Sequence, residues 1–173
     1  MKKQIIILLA TLSILTSGCS KEEVQLNRNY WGEVQVLKSG EVWKPFIYAR
    51  TDFTSENHIY FEIASYDRRN IMREVLNISK VAKKEGYNTI RNIRYNASYY
   101  TLGAGGDVIC GAYQVDDSVE VAGYVNVTKY DAESGILEGT FEVTLVKDRS
   151  CEENAPDTLR FTEGVFYTRV QED

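Results

Sequence analysis

From residue 34 onward, apolar and polar residues alternate with a period of two in one short run after another. Val34 and Val36 alternate ahead of Ser39-Gly40, a pair suited to a turn. Val42 to Thr51 is aromatic-rich, and Pro45 sets the start of that strand near an edge or bulge. Ile59, Phe61 and Ile63 alternate with Tyr60, Glu62 and Ala64. Ile93, Tyr95, Ala97 and Tyr99 share one face, with Arg94, Asn96 and Ser98 on the other. Successive side chains of a strand point to opposite faces, so this period marks strands with one buried side. Val119, Val121, Val125 and Val127 lead to Tyr130. The loop Asp131–Gly135 follows, and then Leu137, Phe141, Val143 and Leu145 share a face, which is a hairpin with a Gly-ended loop. Leu159 to Val170 closes the chain, with Gly164 expected at a bulge.

One segment reads two ways. Ile71, Met72, Val75, Leu76, Ser79 and Ala82 fit a helical stripe, whereas Leu76, Ile78 and Lys80 fit a strand and Asp67-Arg68-Arg69-Asn70 suits a hairpin turn. Its neighbours are strands, so a strand is expected. Regular short strands with turn signals and almost no helix give an all-β domain, expected as an antiparallel sandwich of about eight to ten strands. The alternative is a closed or partly open, lipocalin-like barrel.

The first residues follow another pattern. Met1-Lys2-Lys3 is cationic, Ile5 to Leu15 is apolar, and Thr16-Ser17-Gly18-Cys19 follows. As a helix the apolar run rises about 16 Å, against the ~30 Å of a bilayer core, so it reads as a secretory signal and not as a membrane span. Leu15-Thr16-Ser17-Gly18-Cys19 resembles the lipobox of bacterial lipoproteins, with its Leu one position further from the Cys than the family favours. The resemblance implies cleavage before Cys19 and a diacylglycerol on its sulfur, hence a signal peptide over 1–18, a lipidated tether over 19–29 and one β domain over 30–173. Acyl chains at about 0.8 kcal/mol per buried CH₂ make a stable anchor once there are two or more. Ser20-Lys21-Glu22-Glu23 resembles the Lys-plus-acid tag with which some Gram-negative lineages export lipoproteins to the cell surface. The expected location is therefore a bacterial outer membrane, on its periplasmic or cell-surface face.

The chain has 173 residues and 43% apolar content, which supports a single domain with a proper core. Without residues 1–18 it keeps 18 basic and 25 acidic side chains, a formal charge of −7. That balance argues against nucleic acid as a partner, which requires a basic footprint. The basic residues concentrate between Arg68 and Arg94, and a solvated sheet edge is the expected reason. Of the three cysteines, Cys110 and Cys151 remain after Cys19 is lipidated; an even pair in an oxidising compartment is expected to form a disulfide.

Catalytic chemistry finds little support. His58 is the one histidine and has no adjacent nucleophile motif. Gly103-Ala104-Gly105-Gly106 lacks the helix and Lys of a phosphate cradle and reads as a hairpin tip. Asp131-x-Glu133-x-Gly135 lacks the later ligands of a calcium loop. No catalytic residue, metal or cofactor is assigned. The aromatics are the candidates for binding, namely Tyr30, Trp31, Trp43, Tyr99 and Tyr100, because Tyr and Trp dominate interface hot spots; they also have high strand propensity.

Gly40-Glu41-Val42-Trp43, the hairpin from Val127 to Thr144 and the run from Asp157 to Phe166 resemble a small all-β lipoprotein family without assigned function. Asp117-Ser118-Val119 and Asp157-Thr158-Leu159 resemble the acceptor of a bacterial O-glycosylation system, which implies Ser118 and Thr158 as modification sites. The expected function is a membrane-anchored, non-enzymatic binding module for a protein or glycan. An inhibitor or immunity-type lipoprotein that neutralises a protein is the alternative, and a small hydrolase a weak third.

Overall fold

Alternation becomes eleven strands in the computed structural model, which describes residues 32–91 and 96–171. The expected signal peptide over 1–18, Cys19, the expected tether over 19–29, Tyr30 and Trp31 lie outside the described residues. The strands are β1 (Gly32–Lys38), β2 (Glu41–Trp43), β3 (Phe46–Asp52), β4 (Ser55–Tyr66), β5 (Met72–Ala82) and β6 (Gly86–Arg91), then β7 (Ala97–Leu102), β8 (Ile109–Gln114), β9 (Val121–Tyr130), β10 (Ile136–Ser150) and β11 (Thr158–Gln171). No helix occurs among the described residues. Pro45 splits the expected Val42–Thr51 strand into β2 and β3, since it has no N–H for the ladder.

The segment that reads two ways is strand β5. The turn ahead of it closes as a hairpin: Asn70 N donates to Asp67 O at 2.9 Å, Asp67 N to Ile71 O at 2.9 Å, and Asn70 takes a left-handed φ of 60°. The residues that follow pair with β4 on one side and β7 on the other, so every second side chain is committed to the interior. β5 is therefore a central strand. The basic segment around it is not a protective sheet edge as expected: Arg68, Arg69, Lys83 and Lys84 lie in the turns at the two ends of β5, Arg73 and Lys80 on central β5 itself, and Arg91 on β6, the edge strand of this region.

All eleven strands join one sheet in the order β2-β1-β11-β3-β4-β5-β7-β8-β10-β9-β6, with further pairings β1–β3 and β11–β10. The last of these returns the circuit β11-β3-β4-β5-β7-β8-β10 to its start, so the sheet is ring-like. The all-β class is as expected; one sheet stands where two stacked sheets were anticipated. β11 is the reason. At fourteen residues it is long enough to pair with β10 and β1 and still meet β3 at its end, through Val170 opposite Ala49 and Gln171 opposite Arg50. That last contact is parallel, the others antiparallel.

The ring is filled by aligned side chains. Ile47, Ile63, Leu76, Tyr99 and Tyr113 stand opposite one another across β3, β4, β5, β7 and β8, all buried. Phe61, Phe141, Phe161 and Phe166 fill the middle, with Phe61 and Phe166 ring centroids 5.2 Å apart. The bulge expected at Gly164 lies there: Phe141 faces Gly164 and Val143 faces Phe161, so β11 carries an extra residue. Glu163, not Gly164, takes the left-handed φ of 54°. Gly164 is needed for closeness, because a Cβ there would sit 2.5 Å from the Phe141 ring and 2.7 Å from its carbonyl oxygen.

Cys110 on β8 and Cys151 after β10 lie within disulfide distance, with Cα atoms 5.1 Å apart and Cys151 N donating to Cys110 O at 2.9 Å. A bond there closes a loop with a sequence separation of 41, worth about 4 kcal/mol in chain-entropy terms. The double variant Cys110→Ala/Cys151→Ala should accordingly lower the melting temperature by roughly 10 °C. Equal melting of this variant and the parent under non-reducing conditions would show that no bond forms.

Candidate binding face

Two of the aromatics named from the sequence lie inside. Trp43 and Tyr99 are 8% and 1% exposed, with Trp43 edge-on to Tyr99 at 6.1 Å and against Phe161 at 5.7 Å. Neither forms an exposed binding face: β2 and β7 turn these positions toward the ring's interior, where large rings contribute most by being removed from water. Trp43 Nε1 is buried with no hydrogen-bond partner among the described residues. Tyr100, one residue on from Tyr99, points the other way and is half-buried on the outside. Ser118 and Thr158 are exposed, the first in the connection between β8 and β9, the second at the start of β11; Ser118 Oγ donates to Asp116 Oδ1 at 2.7 Å. His58 lies on β4, just past the β3–β4 turn. Among the described residues no group of three or more His, Cys, Asp and Glu is placed to hold a metal ion.

Tyr99 belongs to a polar cluster at one end of the interior. Its hydroxyl donates to Glu74 Oε1 at 2.6 Å, Ser65 Oγ donates to Glu74 Oε2 at 2.9 Å, and Lys38 Nζ donates to Glu74 and, at 3.2 Å, to Tyr99 Oη. Lys38 Nζ also lies 5.5 Å from the Trp43 ring centroid and 5.6 Å from that of Tyr99. Burial pushes the Glu74 carboxyl up, but hydrogen bonds from Lys38, Tyr99 and Ser65 outweigh it and hold the group below its ordinary value. Burial and the Glu74 charge drive the Tyr99 hydroxyl well above its ordinary value. Every polar atom of this cluster is engaged within it, so it acts as a closed structural plug.

The outside of the ring is less usual. One outward row runs unbroken across nine strands: Lys129, Glu138, Tyr167, Glu33, Phe46, Ala64, Val75, Tyr100 and Ala112, each directly opposite the next. Over β3, β4, β5 and β7 it is apolar. Ala64 and Val75 are buried there, apart from the main core, against Phe46, Tyr48, Tyr66, Met72 and Tyr100. Beside them the Arg50 guanidinium lies 4.9 Å from the Tyr60 ring, and Tyr60 donates to Asn77 Oδ1 at 2.5 Å.

Over β1, β11 and β10 the same row enters a groove of about 1020 Å³. Its apolar lining on this face is Pro45, Phe46, Val165 and Tyr167, and its rim carries Glu33, Glu138, Glu163 and Lys44. Val165 and Tyr167 are 57% and 42% exposed, a large apolar surface for the open side of a sheet. A second row, Gln35, Val165, Thr140, Asn126 and Tyr87, continues the face to β6. Tyr87 stacks on Tyr124 with centroids 4.9 Å apart and planes 20° from parallel. Lys129 Nζ donates to Glu138 Oε1 at 2.8 Å, a hydrogen bond that raises the lysine above its ordinary value. Apolar floor, charged rim and amide or hydroxyl side chains together suit recognition of a ligand laid along the sheet. The sequence gives no signal for this assembly, because Glu33, Glu138, Val165 and Tyr167 are brought together only by the β1–β11–β10 register.

The titrations set a pH window for the fold. Tyr60 is pushed up to about 12, chiefly by burial, and Tyr99 is raised too, so both favour the folded state below the ordinary tyrosine value of 10.0 and cease to do so as pH rises above it. Glu74 is lowered, so its contribution is present above the ordinary 4.5 and lost as pH falls below it. Urea unfolding stability should therefore fall on both sides of that window, and Tyr60→Phe should shallow the alkaline limb; a variant whose alkaline limb matches the parent would remove Tyr60 as a cause. No family model, curated protein or solved structure matches this chain.

Proposed function

We propose that the protein is a lipid-anchored, extracytoplasmic binding module without catalytic activity, and that its outer face over β1, β11, β10, β9 and β6 engages a protein or glycan. The observation that carries this is the groove of about 1020 Å³ with Val165 and Tyr167 exposed on its floor. Sites of this kind are concave, mainly apolar and edged by a few polar groups, with volumes of roughly 300–1,000 Å³ for small ligands. The anchor rests on the resemblance of Leu15-Thr16-Ser17-Gly18-Cys19 to a lipobox, with Cys19 carrying the lipid and residues 19–29 as its tether. An outer membrane, on either face, is the setting this implies. Cys110 and Cys151 suit such an oxidising compartment. Ser118 and Thr158 are exposed and reachable for glycosylation.

Two variants separate the parts of the proposal. Cys19→Ala should move the protein from the membrane to the soluble fraction, and its retention on membranes would refute lipidation. Tyr167→Ala, applied as full chain to glycan and peptide arrays, should lose tenfold or more of the signal while its melting temperature stays within about 3 °C of the parent. Undiminished binding by this variant would move the site off the face.

A further inference from the structure

The charge around the groove is one-sided. Glu33, Glu138 and Glu163 line it with Lys44 as the one basic lining residue, and Glu138 alone of the three has a salt bridge, to Lys129 beside the groove. Glu33 and Glu163 are exposed, and no ion pair involving either occurs among the described residues. They come from different strands: Glu33 from β1, Glu138 from β10 and Glu163 from the β11 bulge, where its left-handed φ of 54° sets it apart from the regular alternation. Glu33 and Glu138 stand opposite Tyr167 from its two sides, so acids flank the exposed ring. Between them the floor is aliphatic as well as aromatic, with Val165 and Pro45 beside Phe46 and Tyr167.

That chemistry fits one class of occupant. A neutral sugar gains from aromatic faces and can donate hydroxyls to carboxylates, but it leaves their net negative charge uncompensated and makes little use of an aliphatic floor. Lys and Arg side chains use both, since their methylene stems lie along apolar surface while their charged heads reach carboxylates. We propose, building on the binding-face reading above, that the groove receives an extended cationic segment of another polypeptide, its Lys or Arg heads at Glu33, Glu138 and Glu163 and its apolar side chains on Val165 and Tyr167. The formal charge of −7 on the chain beyond residue 18 adds long-range attraction for such a partner.

The test uses the full chain and an eight-residue peptide of alternating Lys and Val, with the alternating Glu and Val peptide and a neutral chitohexaose as comparators. The Lys peptide should bind, weaken steeply with added salt, and lose at least tenfold in affinity in Glu33→Gln/Glu163→Gln. It should change less than twofold in Glu56→Gln/Glu153→Gln, which removes the same charge from exposed sites elsewhere. Equal losses in the two double variants would overturn the proposal, because attraction would then be to net charge and not to the groove. Binding of chitohexaose that is sensitive to Tyr167→Ala, with no binding of the Lys peptide, would overturn the cationic occupant and leave the binding face standing. Binding of neither probe to the face would remove both.

Discussion

The closing of the sheet through β11 is the constraint on which the rest of the structure depends. An open sheet of this length would leave two long unpaired edges, each a template for association with another chain. β11 avoids that by pairing along most of its length with β10 and β1 and by meeting β3 at its end. The edges that remain in the sheet order are β2, of three residues, and β6, of six. Closure also fixes inside and outside for every strand in the circuit. Once β11 commits Phe161, Phe166 and Val170 inward, the register hands each neighbour its own alternation, and a slip of one residue would exchange the two faces.

The bulge at Glu163 and Gly164 shows how closure and site are coupled. Without an extra residue, β11 could not bring Phe161 and Phe166 both into the interior on either side of Phe141. Gly164 permits the approach to Phe141, and Glu163 takes the left-handed backbone that results. The same local feature that lets the core pack places a carboxylate at the groove. Beside the bulge, where Lys38 pairs with Phe161, Lys38, Glu74, Tyr99 and Ser65 satisfy one another in a region that hydrocarbon does not fill. A part-buried polar network is stable when its members satisfy one another, and here each side-chain polar atom has a partner within the cluster.

Much of the fold was legible because it depends on period-two alternation. The hairpin from Val121 to Ser150 and its Gly135-ended loop are read directly from residues, as is the strand character of the C-terminal run. Residues 71–82 read two ways because Ile71, Met72, Val75, Leu76, Ser79 and Ala82 fit a helical stripe while Leu76, Ile78 and Lys80 fit a strand; the turn at Asp67–Asn70 and partners on both sides decide it. The candidate site was much less legible. Alternation places Tyr99 and Tyr100 on opposite faces without saying which is inside, and for Trp43 a three-residue strand carries too little pattern to orient it. The groove depends on register between residues more than a hundred positions apart, and no local spacing encodes that.

A sheet face selected only for stability would carry a different outer row. Acids on neighbouring strands repel unless a base stands between them, and exposed Val and Tyr cost solubility without adding to the core. The inner row, by contrast, agrees with the fold at every position: Ile47, Ile63, Leu76, Tyr99 and Tyr113 are all buried and all opposite one another. Exposed apolar residues and unpaired acids coincide where Glu33, Glu163, Val165 and Tyr167 meet. Local disagreement between side-chain chemistry and folding stability gathers at functional sites, because recognition needs surface that folding would otherwise neutralise or hide. Lys129 illustrates the difference, since it neutralises Glu138 while Glu33 and Glu163 keep their charge toward solvent. What the ring holds constant inside, it leaves available outside for a partner.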